Sequence, residues 1–175
     1  MVRVVKVKEG VGKENTIINQ YFPYKTWRKY QREIAEIVYE ALKNKEHVVL
    51  EAPTGLGKTS AILSATLPVM LENELKVIWC CRTHQQIIGV LNEISKIKQK
   101  FIYPIGLWGR RNMCLFNEVS NLSENVFRHA CSMLRKSFRC PYYRIEDSQW
   151  IVENLANVIY PNEAKKKFES YQFCP

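Results

Sequence analysis

The segment Ala52-Pro53-Thr54-Gly55-Leu56-Gly57-Lys58-Thr59 sets two glycines, an amine and a hydroxyl in the order that a polyphosphate requires. Between an apolar run and an amphipathic one, such a loop turns consecutive backbone N–H groups toward an anion. Gly55 and Gly57 let the backbone approach phosphate oxygens where a Cβ would intervene. Lys58 brings a positive charge to the β- and γ-phosphates, and the Thr59 hydroxyl is a magnesium ligand. Pro53, Thr54, Leu56 and Ser60 complete the expected ATP-contacting set, with Lys58 and Thr59 as the pair acting on the reacting phosphate. Ala52 stands where the common pattern begins with glycine. The loop alone does not choose among kinases, transporters and motors.

Cysteine offers the second chemistry. Of the six, Cys80 and Cys81 close the apolar run Val77-Ile78-Trp79 and read as buried strand residues. Cys114, Cys131, Cys140 and Cys174 lie in polar, irregular sequence, separated by 16, 8 and 33 residues. Six cysteines in a chain without a signal-peptide pattern argue for metal or cluster ligation over disulfides. The spacing is not that of a zinc finger, and four thiolates suit zinc or an iron–sulfur cluster equally.

The elements that must position these groups follow from periodicity. Val2 to Val7 has weak strand character. Helical spacing begins after Thr26, a cap in this reading, and runs to about Asn44, with Ile34, Ile37, Val38, Ala41 and Leu42 on one apolar face. His47 to Glu51 reads as a strand entering the loop. A helix is expected over about Lys58 to Asn73, with Pro68 as a kink. Lys76 to Cys81 reads as a second buried strand, Thr83 to Lys98 as an amphipathic helix, and Phe101 to Leu107 as a third strand. Apolar strands alternating with helices predict an α/β lobe with a parallel sheet. From Arg110 onward the pattern gives way to short helices and loops.

The net charge of +9 is unevenly placed. Residues 96–139 hold nine basic groups against Glu118 and Glu124, a local +7 that suits a polyanion, although a solvated basic face accounts for it too. No apolar run reaches the roughly 18–20 residues that span a bilayer. An intracellular protein without a membrane partner is expected.

The Ala-Pro-Thr-Gly-x-Gly-Lys-Thr form resembles motif I of superfamily 2 helicases. Phe22-Pro23-Tyr24 and Arg28-Lys29-Tyr30-Gln31 resemble their adenine-recognition segment, which implies that Gln31 bonds the adenine edge and that Tyr24 lies by the base. Read without the resemblance, Gln31 is a surface residue of the first helix. Arg82-Thr83-His84-Gln85 resembles motif Ia, implying that Arg82, Thr83 and His84 touch single-stranded DNA; Thr83 is equally a helix cap and His84 a surface residue. Gly109-Arg110-Arg111-Asn112-Met113-Cys114, followed by three further cysteines, resembles the iron–sulfur domain of XPD, FANCJ and DinG helicases.

That resemblance implies a RecA-like phosphate-loop lobe over 1–109 and an inserted, mainly helical cluster domain over 110–175, truncated at its end. It implies ATP, Mg2+ and a 4Fe–4S cluster on Cys114, Cys131, Cys140 and Cys174, with zinc as the alternative. It also implies Arg110 and Arg111 beside the DNA, where for Arg110 the plain alternative is an ion pair or a solvated side chain. Single-stranded or forked DNA, repair-complex proteins and a missing second motor domain are the implied partners, and the motion implied is 5′ to 3′. Motor hydrolysis needs an acidic pair after a further strand. Glu146-Asp147 is the only adjacent acidic pair here and no apolar strand precedes it, so the chain is expected to be an inactive fragment of a longer helicase. The competing reading is a non-hydrolysing, ATP-responsive DNA-binding module with a structural metal.

Overall fold

A computed structural model describes residues 2–3, 16–97, 99, 102–143, 159–170 and 174. The chain divides into two compact units, residues 1–81 with 92–100, and residues 82–91 with 101–175.

The first unit contains β1 (Val2–Arg3), α1 (Thr16–Gln20), α2 (Gln31–Lys43), β2 (His47–Val48) and α3 (Lys58–Glu72). β1 and β2 pair in parallel, Val2 opposite His47 and Arg3 opposite Val48. In α2 the residues Ile34, Ala35, Val38, Tyr39 and Ala41 recur at helical spacing and are all buried. Ile34, Ala35, Val38 and Tyr39 meet Ala61, Ala65 and Val69 of α3 and Ile18 of α1 in one core. Ala61 and Ala65 are fully buried, so small side chains are what lets α2 and α3 approach. Glu33 in the first turn of α2 and Lys43 in the last complement its dipole.

Several elements differ from the sequence reading. α2 begins at Gln31, not after Thr26, because Tyr30 adopts a left-handed conformation (φ 62°) that starts the helix four residues late. α1 was not legible in the sequence. α3 runs through Pro68 as far as Glu72.

Residues 76–81, expected as a buried strand, have no ladder partner among the described residues. Val77 and Ile78 are 41% and 88% exposed, Cys80 is exposed and Cys81 half-buried. An apolar run becomes a buried strand only where a neighbour takes its N–H and C=O groups. The described strands therefore amount to one two-stranded pair, not the expected sheet. Residues 4–7 and 101 of the expected strands, and Glu146-Asp147, lie outside the described residues.

The second unit holds α5 (Arg110–Met113), α6 (Asn117–Ser120), α7 (Glu124–Lys136) and α8 (Pro161–Ser170). α4 (His84–Ile94) begins in this unit and ends in the first. Among the described residues of the expected third strand only Ile105 pairs, through a parallel bridge to Ile159; Ile159 N–H donates to Pro104 O at 3.0 Å and Gly106 N–H to Ile159 O at 2.9 Å. Two small cores form among the described residues. Met113, Leu115, Ile159, Ala164 and Phe168 form one. Cys114, Val119, Phe127 and Cys131 form the other, with Phe127 and Cys131 one turn apart on α7.

Two substitutions separate the buried contact from the exposed run. Ala65→Leu should cost about 1–3 kcal/mol by overpacking the α2–α3 contact. Ile78→Ser should stay within about 0.5 kcal/mol. Urea unfolding of the two variants beside the parent chain checks both.

Candidate functional site

The loop between β2 and α3 is held open by its glycines and held in place by α2. Gly55 and Gly57 have φ values of 81° and 89°, a region that costs other L-residues about 1–2 kcal/mol. Their carbonyls point to α2 and the turn before it. Arg28 Nη1 donates to Gly55 O at 2.7 Å, and Gln31 Nε2 donates to Gly57 O at 2.9 Å. Gln31 Oε1 in turn accepts from Arg28 N–H at 3.1 Å. Gln31 is only 2% exposed, so it is no surface residue; it braces the loop through its amide. Lys58 Nζ folds back over the loop, donating to Ala52 O at 2.8 Å and Pro53 O at 2.6 Å. Pro53, Thr54 and Gly55 are exposed, whereas Leu56, Gly57, Lys58 and Thr59 are half-buried and Ser60 is buried.

Ser60 and Tyr24, expected to contact ATP, meet through a residue the sequence did not single out. Glu93 Oε2 accepts from Ser60 Oγ at 2.5 Å, and Glu93 Oε1 accepts from Tyr24 Oη at 2.7 Å and from Lys96 Nζ at 2.6 Å. Lys96 Nζ also donates to Tyr24 Oη at 2.8 Å and lies 5.0 Å from the centre of its ring. Burial pushes the Glu93 carboxyl up, but hydrogen bonds from Lys96, Ser60 and Tyr24 outweigh it and hold the pKa below its ordinary value. The Glu93 hydrogen bond likewise holds Lys96 above its ordinary value. Stabilisation from Glu93 is thus lost as pH falls through its lowered pKa, and that from Lys96 as pH rises through its raised one. Glu93 and Lys96 read in sequence as an ordinary helical ion pair; nothing local points to Tyr24, 69 residues away.

The residues that resemble motif Ia open α4. Thr83 Oγ1 accepts from Gln86 N–H at 3.3 Å, and Gln86 Oε1 accepts from Arg82 and Thr83 N–H at 3.0 and 3.2 Å. This reciprocal capping box gives Thr83 a structural role that leaves Arg82 exposed. His84 stacks on Trp108, ring centres 5.1 Å apart. The two arginines after Gly109 diverge. Arg111 donates from Nε to Ser120 O at 3.1 Å and lies 3.9 Å from Glu124. Arg110 instead lines a cavity of about 320 Å³ with Ser132, Arg135, Lys136, Phe138 and Tyr143.

The four later cysteines all belong to the second unit and all are free thiols. Cys114 and Cys131 are buried; Cys140 and Cys174 are half-buried. Cys174 N–H donates to Tyr142 O at 2.7 Å, which ties the chain end to the turn after Cys140. Burial pushes the Cys174 thiol up to about 11, with Cys140, Cys114 and Cys131 adding to the rise. Burial also raises Cys114, again with Cys131 and Cys140 contributing. The four thiols therefore lie within electrostatic reach of one another. Among the described residues, however, no group of three or more His, Cys, Asp or Glu side chains is placed to hold a metal ion. No described helix is long and apolar enough to cross a membrane.

A glycine-bearing loop between a parallel strand and a helix, braced from the preceding helix, defines a phosphate-loop lobe. The DEAD_2 family matches residues 79–175, and the family of the type III restriction enzyme res subunit matches residues 24–112. The chain belongs to the DEAD_2 family and fits the N-terminal portion of XPD-type superfamily 2 helicases.

Similar proteins include the ATP-dependent DNA helicase XPD of Sulfolobus acidocaldarius, 28% identical over 77% of this chain and 28% of that protein. The general transcription and DNA repair factor IIH helicase subunit XPD of Arabidopsis thaliana is 32% identical over 58% of this chain and 15% of its own length. Human regulator of telomere elongation helicase 1 is 25% identical over 88% of this chain and 16% of its own length. The chain thus spans less than a third of each relative. No solved structure matches it.

The two glycines should respond differently to a methyl group. A Cβ at Gly55 meets nothing within 4 Å, so Gly55→Ala should cost only the backbone strain, about 1–2 kcal/mol. At Gly57 it collides with Gln31 Nε2, so Gly57→Ala should cost more, and adding Gln31→Ala should recover part of the excess. Urea midpoints of the three variants decide this.

Proposed function

We propose that this chain is the nucleotide-binding portion of an intracellular, ATP-dependent DNA helicase, with a cysteine-rich domain over 110–175 following the lobe at 1–109. The observation that carries the reading is the loop from Ala52 to Thr59, with Gly55 and Gly57 in left-handed conformations and Arg28 and Gln31 fixing their carbonyls. In this reading the loop N–H groups and Lys58 take the phosphates of ATP, Thr59 takes Mg2+, and Gln31 and Tyr24 face the base. Lys58 leaves its two loop carbonyls for the phosphates, exchanging neutral acceptors for a charged one. The exposed apolar residues Val77 and Ile78 support a larger parallel sheet completed by further strands. The helicase relatives favour a motor over a free-standing, non-hydrolysing module.

Arg82, Thr83, His84, Arg110 and Arg111 form the proposed contact with single-stranded or forked DNA, with 5′ to 3′ movement implied by resemblance. The cavity at Arg110 supports it, because Arg135 and Lys136 add two further cations to its wall. Repair-complex proteins are the proposed further partners. Cys114, Cys131, Cys140 and Cys174 would hold a 4Fe–4S cluster. Four free thiols in one unit, with Cys140, Cys114 and Cys131 adding to the raised pKa of Cys174, have the donor chemistry of such a site. A bound cluster supplies a covalent cross-link between α5, α7 and the segments at 140 and 174, whose two cores are small.

Calorimetric titration with Mg-ATP should show binding by the chain and a loss of about tenfold or more in Lys58→Ala, the scale of a charge-assisted contact. Equal affinities would remove the loop from the reading.

Anaerobically purified protein should be brown, with about four iron and four sulfide per chain. Changing any one of Cys114, Cys131, Cys140 or Cys174 to Ser should bleach it, while Cys80→Ser should not. Stoichiometric zinc without iron would assign the four thiols to zinc instead.

A further inference from the structure

Three candidates stand out: the basic cavity at Arg110, the exposed run 75–78, and the half-buried carboxylate of Glu93. The cavity belongs to the DNA contact already proposed, and nothing in the structure shows what covers the run. Glu93 carries an inference of its own.

Glu93 binds side chains from three separate parts of the first unit. Tyr24 comes from the segment before α2, Ser60 from the first turn of α3, and Lys96 from the turns after α4. An ionised carboxylate only accepts hydrogen bonds, and here both oxygens are used: Oε1 by Tyr24 and Lys96, Oε2 by Ser60. The donors form a consistent chain. Lys96 N–H donates to Tyr24 Oη, whose O–H goes on to Glu93, so the phenol is fixed as donor and acceptor at once. The ammonium beside the ring further restricts its rotation. A Glu–Lys pair three residues apart on a solvated helix face needs none of this. This one lies against buried Ser60, one residue beyond Thr59, and has a Glu93 side chain only 18% exposed.

We infer that Glu93 is a positioning residue for the nucleotide: it ties the Tyr24 ring, at the base end of the site, to the helix turn that carries Lys58 and Thr59 at the phosphate end. The inference rests on the ATP reading of the loop and on Tyr24 facing the base. Its content is a coupling. The adenine-facing ring and the phosphate-holding turn keep a fixed separation because one carboxylate holds both. Lys96 supplies the charge that keeps the carboxylate ionised within the cluster.

The test compares Mg-ATP with Mg-tripolyphosphate, which has the phosphates without the base. Tyr24→Phe removes only the hydroxyl, and Glu93→Gln keeps the shape while removing the charge. Each should lower the ratio of ATP affinity to tripolyphosphate affinity by about 2–10-fold, the range of one net hydrogen bond. The double variant should lower it no further, because both changes cut the same link. Thermal melts accompany each titration, and Tyr24→Phe alone keeps the test alive if Glu93→Gln unfolds. Parallel loss of ATP and tripolyphosphate with an unchanged ratio would mean that Glu93 merely stabilises α3, overturning the inference. Additive losses in the double variant would overturn it too, as would variants that bind both ligands like the parent. A parent chain that binds neither ligand would overturn the ATP reading itself, an outcome distinct from the others.

Discussion

The bond from Gln31 Nε2 to Gly57 O joins the start of one helix to the start of the next, and the nucleotide loop hangs on it. Gly57 occupies the N-cap position of α3 in a left-handed conformation without a side-chain cap. A loop that turns its N–H groups outward toward an anion must turn some carbonyls inward, where each needs a donor. Arg28 and Gln31 meet that need from one short stretch of chain, leaving the outward N–H groups uncommitted to these two side chains. The contact between α2 and α3 is therefore more than a core. It sets the distance between the bracing amide and the loop, and the fully buried Ala61 and Ala65 make that distance short.

The same economy shows at Glu93. Ser60 follows the loop by one residue and is buried, so its hydroxyl needs a partner within the first unit. The partner is a carboxylate that also holds Tyr24 and Lys96, giving the loop helix a second attachment on a segment far from α2 in sequence. With both attachments, Tyr24, Gln31 and Lys58 belong to one hydrogen-bonded frame. On the proposed reading, a ligand with a base at one end and phosphates at the other would meet that frame as a preorganised surface, which would lower the ordering cost of binding.

Sequence made part of this legible. The loop, its two glycines and the helices on either side were readable because glycine at left-handed positions and 3.6-residue periodicity are local signals. Gln31 was readable as important only by resemblance; it is buried because it lies three, four and seven residues before Ile34, Ala35 and Val38 on the buried face of α2. Glu93 and Lys96 were invisible, since a pair at that spacing is commonplace and its third and fourth partners are 33 and 69 residues away. The strands misled for the opposite reason. Val77 and Ile78 have strand composition, but a strand is completed by its neighbours, and among the described residues none pairs with them.

The cysteines show how far composition reaches. Their spacing named no metal, and their surroundings now distinguish them from Cys80 and Cys81. Cys80 is exposed on the run at 76–81, whereas Cys114 and Cys131 pack with Val119 and Phe127, and Cys174 is tied by its backbone to Tyr142. Thiols gathered in this way oppose one another's ionisation, as the raised Cys114 and Cys174 show. Among the described residues, the two small cores of four and five buried residues gain little from packing alone. A cationic centre bound by all four sulfurs would reverse both effects at once: it would stabilise the thiolates that repel each other and join the segments that the cores hold only weakly. A bound centre would thus turn sulfurs that resist ionisation into ligands that hold the second unit together.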